Sequence, residues 1–109
     1  MAHIMLPSSK SIRNNQNKAK FADTGLVTLL EEMVRLGANR DRIVCKIAGG
    51  AQMFAVSSSN DVMQVGKRNA EAVRALLTEM KIPLLADETG GNFGRTIEFY
   101  STTGELFIK

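Results

Sequence analysis

Arg42-Ile-Val-Cys-Lys-Ile-Ala48, closed by Gly49-Gly50, is the stretch on which the fold turns. It is short, β-branched and mostly apolar, with polar residues before it and a glycine pair after it, the pattern of a buried strand. Upstream, Phe21 to Leu36 places apolar residues at Ala22, Leu26, Leu29, Leu30, Met33 and Val34, the three-and-four spacing of one helical face. Asp23 falls in the first turn, where the helix dipole favours a carboxylate, and Gly37 falls where an αL cap ends a helix. Downstream, a second helix is predicted from about Lys67 to Met80, with Ala72, Val73, Leu76, Leu77 and Met80 as its apolar stripe; Pro83 blocks its continuation. Ile82 to Ala86 reads as another strand. Thr96 to Tyr100 and Glu105 to Lys109 read as a hairpin, with Gly104 at the αL position of its turn. The order helix, strand, helix, strand, strand, strand predicts an α/β layered domain with a mixed β-sheet.

With 109 residues the chain makes a single domain, 1–109, that buries somewhat over ~60% of the surface its unfolded chain exposes. Hydrophobic content of 44% beside 23% charged residues suits a globular protein and is too apolar for a disordered one. No apolar run approaches the ~18 residues of a membrane span, and no basic-then-apolar leader opens the chain, so the cytoplasm is the expected location. A single cysteine makes no intramolecular disulfide and no Cys-rich zinc site, and no metal is expected. The net charge of +3 belongs to one segment: residues 1–20 hold Lys10, Arg13, Lys18 and Lys20 with no acid, and the rest sums to −1. Ser8 to Lys20 is rich in Ser, Asn and Lys without periodicity and reads as a mobile polar loop, 8–20. No aromatic residues are interleaved with its charges, so nucleic-acid binding is not expected.

Residues able to do chemistry are few. The chain has one histidine, His3, and one cysteine, Cys45. Amide hydrolysis needs a nucleophile, a base that returns its proton to the departing nitrogen, and donors for the oxyanion. Cys45 stands mid-strand between Val44 and Lys46, the place of a small hydrophobe, whereas a reactive thiolate wants an electropositive and partly exposed niche. Cys45 is therefore read as structural. A lone histidine such as His3 is more often a hydrogen-bonded structural residue than a catalyst. Gly49-Gly50 follows a strand, but no Gly-Lys-Ser/Thr makes it a phosphate loop. Gly49-Gly50 and Gly90-Gly91 either permit positive φ where strands end or, with Phe54, build the rim of a cleft that binds substrate or partner. Met53 and Phe54 suit a core or a partner contact equally.

Across nearly its whole length the chain resembles one family. The matching segments are Ala2-His-Ile-Met-Leu-Pro7, Lys20-Phe-Ala-Asp-Thr24, Lys46-Ile-Ala-Gly-Gly-Ala51, Met53-Phe54, Gly66-x-Arg-Asn-x-Glu-Ala-Val73, Glu88-Thr-Gly-Gly91 and Gly94-Arg95. These resemble CheD, the chemoreceptor glutamine deamidases of bacterial and archaeal chemotaxis. The resemblance implies a three-layered α/β fold, related in architecture to deamidating bacterial toxins. It implies that His3 is the general acid/base of a Cys–His thioester mechanism, with the cysteine in a Gly-Leu-Gly-Ser-Cys-like turn upstream of His-x-Met-Leu-Pro. The family's threonine also lies upstream, so the chain is expected to begin inside the enzyme, with N-terminal strands missing. The implied partners are chemoreceptors and a CheC-like phosphatase; no cofactor is implied. A non-catalytic adaptor that binds the same partners, and an unrelated thiol hydrolase built on Cys45 and His3, stay open at this point.

Overall fold

A computed structural model describes residues 1–10, 17–51 and 65–109. Strand β1 runs Cys45–Gly49 and strand β2 Leu84–Thr89; they pair in parallel, from Cys45 opposite Leu84 to Gly49 opposite Thr89. Parallel neighbours need a crossover, and the crossover contains a helix over Val65–Glu79. We number that helix α2, because another, α1 over Ala22–Arg35, precedes β1. The remaining strands, β3 (Ile97–Tyr100) and β4 (Glu105–Ile108), form an antiparallel hairpin with Ile97 opposite Ile108 and Phe99 opposite Leu106. The element order matches the sequence reading and the architecture is α/β. Among the described residues the parallel and antiparallel pairings occupy two two-stranded sheets. Strand β1 starts three residues later than its composition predicts, because Arg40–Arg42 coils into a 3-10 turn capped by the Asn39 side chain, which accepts from the Asp41 N–H.

Both helices end in the same way. After α1, the Gly37 N–H bonds the Val34 carbonyl and the Ala38 N–H bonds that of Met33, with Gly37 at φ 108°. That is a Schellman closure, and glycine takes its left-handed position without strain. After α2, the Lys81 N–H bonds Thr78 O and the Ile82 N–H bonds Leu77 O, the same closure with a lysine at φ 59°. The accompanying apolar contact joins Leu77 and Ile82, and both belong to the core.

That core is small. Ala22, Val73, Leu77 and Ile82 are buried together, with Ile4, Leu26, Leu30, Ile43, Cys45 and Ile47 packed around them. It lies between the two helices and the face of β1–β2 that α2 covers. Several large apolar side chains lie outside it: Val44, Leu85, Phe99 and Phe107 are exposed, Leu85 by 61%. Lys46 donates to the Gly104 carbonyl at 2.7 Å, fastening the hairpin turn to β1. Residues 11–16, the middle of the segment read as a loop, lie outside the described residues. Its ends are tied: Ser9 donates its N–H and hydroxyl to the Asp23 carboxylate, and the Asn17 side chain accepts the Ala19 N–H.

Candidate functional site

The N-terminal segment is held by backbone bonds. Met5 and Leu6 both donate to the Lys20 carbonyl, at 2.7 and 3.0 Å, and Leu6 accepts the Ala22 N–H at 2.9 Å. Phe21, wholly buried beside Leu6, makes the apolar seat that keeps this pairing dry. Ile4 turns its side chain toward α1, so closely that a Cβ on Gly25 would lie 3.0 Å from its Cδ1. On its other side the segment meets α2, where Asn69 Nδ2 donates to the Ile4 carbonyl at 3.5 Å. His3 precedes these anchors by one residue and is exposed. Its imidazole, the side chain best suited to taking and returning a proton, is thus presented to solvent from a fixed backbone.

The glycine pairs meet at the C-terminal ends of β1 and β2. The Gly49 carbonyl accepts the Gly90 N–H at 3.0 Å and Arg95 Nη1 at 3.3 Å. Gly50 packs against the first turn of α2: a Cβ on Gly66 would stand 2.8 Å from the Gly50 carbonyl. Gly49, Gly50, Gly90 and Gly91 all have positive φ, between 66° and 112°. The Arg95 side chain is only 5% exposed; its guanidinium lies 4.4 Å from the centre of the Phe93 ring, and its Nε stands 3.6 Å from Glu88 Oε1. A cation buried on an aromatic face and bonded to the carbonyl shared by both loops locks their relative position. Farther along β2, Arg74 of α2 donates to Asp87 at 2.7 Å and to the Thr89 hydroxyl, tying the strand end to the helix.

The first two turns of α2 therefore form a wall common to both groups. Asn69 holds the segment that carries His3, while Gly66 and Ala70 abut Gly50. Phe54 lies outside the described residues. Cys45 is at the other end of β1, four residues or ~13 Å from Gly49. Its Sγ faces the Lys46 carbonyl at 3.7 Å, and burial pushes the thiol above its ordinary value, the opposite of what an attacking thiolate requires. Two organising residues stand in segments that the sequence reading matched to the family, but it gave neither a role. Arg95 sits in a Gly-rich run that suggested a loop and not a buried cation; Asn69 is a polar residue near the start of a helix, where solvent exposure is the ordinary expectation. Among the described residues no cluster of three or more His, Cys, Asp or Glu could hold a metal, and no helix is long and apolar enough to cross a membrane.

Comparison with known proteins points one way. A family model described as CheD chemotactic sensory transduction matches residues 5–109. A probable chemoreceptor glutamine deamidase CheD of Lachnoclostridium phytofermentans is 56% identical over 109 residues, covering 100% of this chain and 68% of that protein. The protein of the same name from Caldanaerobacter subterraneus subsp. tengcongensis is 52% identical, covering 100% and 67%. The chemoreceptor glutamine deamidase CheD of Halalkalibacterium halodurans is 50% identical over 110 residues, covering 100% and 68%.

Proposed function

The chain belongs to the CheD family, and from that premise we propose that it is a protein-glutamine deamidase acting on chemoreceptors. The observation that carries the reading is identity of about half the residues with proteins of that name over the whole chain, the His3 segment included. In this reading His3 moves the protons. It takes one from a cysteine thiol, and the thiolate attacks the glutamine amide carbon. The tetrahedral oxyanion collapses by expelling ammonia, which takes up the proton that His3 returns, and a thioester remains. Water, deprotonated by the same imidazole, then releases glutamate and restores the thiol. Each event leaves the receptor one negative charge richer.

Cys45 is unsuited to be that thiol, being strand-bound, shielded and raised in pKa. The nucleophile of this reading stands on a segment upstream of residue 1, as the family resemblance implies. Gly49, Gly50, Gly90 and Gly91, locked by Arg95, are the rim against which the receptor helix would lie. A CheC-like phosphatase is the second partner and the cytoplasm the compartment of this reading. The test is mass spectrometry of a receptor fragment for conversion of Gln to Glu. Conversion is expected from residues 1–109 joined to a thiol-bearing upstream segment, and its loss by ~10²–10⁴-fold with His3→Ala. Conversion by residues 1–109 alone, or indifference to His3→Ala, would overturn the mechanism.

A further inference from the structure

The segment that carries His3 is flanked differently on its two sides. The Ile4–Met5 peptide is trans, so its C=O and N–H point in opposite directions. The C=O accepts from Asn69 of α2 at 3.5 Å, and the N–H donates to the Lys20 carbonyl at 2.7 Å. On the Lys20 side, lysines gather around the first turn of α1. Lys20 is bonded to Met5, which lies two residues, at most about 7 Å of backbone, from His3. The Lys18 carbonyl accepts the Thr24 hydroxyl at 2.6 Å, and Lys10 follows Ser9, whose N–H donates to Asp23 at 3.0 Å. Lys10 and Lys18 are exposed; Lys20 is half-buried, with its ammonium 5.3 Å from the centre of the Phe21 ring. Among the described residues none of these lysines is in an ion pair. The carboxylate between them, that of Asp23, is taken up by Ser9 and the Thr24 N–H, and residues 1–20 contain no acid.

We propose that Lys10, Lys18 and Lys20 are a docking flank for an acidic receptor helix, one that carries glutamates beside the glutamine presented to His3. This rests on the reading of the chain as a receptor deamidase, and it names the charge that the enzyme prefers on its target. Clustered cations without carboxylate partners attract anionic groups from solution and orient them. Each conversion replaces a neutral carboxamide by a carboxylate, so the flank holds the receptor more strongly after every event. A receptor with one glutamine converted is then a better target for conversion of the next. Nucleic acid is the poorer fit, because Phe21, the aromatic residue of the flank, is wholly buried and offers no face on which a base could stack.

The test is fluorescence anisotropy of a labelled chemoreceptor fragment, prepared once with glutamine and once with glutamate at its modifiable positions, titrated with residues 1–109. The glutamate form should bind at least ~5-fold more tightly at about 50 mM NaCl, and the preference should shrink below ~2-fold at about 300 mM, because exposed charges are screened. Lys10→Gln, Lys18→Gln and Lys20→Gln together should abolish the preference, and Lys→Arg at the same positions should keep it. Should loss of the Lys20 contact with Phe21 unfold the triple variant, Lys10→Gln with Lys18→Gln alone should at least halve the preference. Equal affinity for the two forms, a preference that survives the glutamine substitutions, or binding of neither form would overturn the proposal. So would tighter binding of a labelled oligothymidylate than of the glutamate form, which would assign the flank to nucleic acid. None of these readouts requires deamidation. A glutamate preference beside a complete enzyme that converts no glutamine would refute the functional reading and leave the flank standing; equal affinities beside measured conversion would do the reverse.

Discussion

At the residue scale the two side chains most easily joined into a catalytic pair have different fates. His3 is presented to solvent, whereas Cys45 is packed against the core. Burial raises the Cys45 thiol, and for a group raised on folding the stabilising protonated form persists until pH climbs through the folded value. Alkylation of the native chain by iodoacetamide at pH 8 is therefore expected to be at least ~10-fold slower than that of the urea-unfolded chain, where the thiol titrates near its ordinary ~8.5. Equal rates would return Cys45 to the list of reactive groups. Gly66 supplies a second prediction. Alanine in a helix ordinarily gains about 0.5–1 kcal/mol over glycine, but here its Cβ would sit 2.8 Å from the Gly50 backbone. The clash should win, and Gly66→Ala should destabilise by about 1–3 kcal/mol in denaturant titration. Neither the exposure of His3 nor the closeness of Gly50 to Gly66 is written locally, since each depends on residues far apart in the chain.

At the element scale, helix ends were legible where the signal is a residue type. Gly37 was read from sequence and closes α1 as its position predicts; Asp23 lies in the first turn as read, but its carboxylate is spent on Ser9, a bond that the sequence reading did not foresee. The end of α2 was placed by Pro83, yet the closure is made two residues earlier by Lys81 in a left-handed conformation. A non-glycine residue there costs about 1–2 kcal/mol, against the ~0.5–1 kcal/mol of extra chain entropy glycine would bring. Lys81→Gly is thus expected to raise the melting temperature by a few degrees. Asp23 gives the pH dependence. Burial pushes its carboxyl up, but the bonds donated by Ser9 and Thr24 outweigh it and hold the folded value below 3.8. A lowered folded value contributes stability above the unfolded range, lost as pH falls through the folded value. Thermal melts between about pH 5 and pH 3 should show the wild type losing stability more steeply than Asp23→Asn. Parallel slopes would mean that Asp23 does not anchor Ser9.

At the scale of the whole molecule, exposed Leu85, Phe99 and Phe107 lie on sheets of two strands whose edges, among the described residues, are open. Residues 1–109 in isolation should bind an apolar dye and associate with rising concentration. A monodisperse monomer without dye binding would contradict this. Several features of the whole were decided by the sequence alone, because they depend on neighbours: the helix and strand periodicities, the αL glycines and the run of motifs that marks the family. Composition also sufficed to separate one basic segment from a near-neutral remainder. What only the tertiary structure decided was proximity. Arg95 became a buried lock because Gly49 and Gly90 meet across a parallel pair, and Asn69 reached Ile4 because α2 folds back over the first residues. Such contacts join residues separated by tens of positions. No local pattern encodes them, since the burial that makes a polar group consequential arises only once distant elements have closed over it.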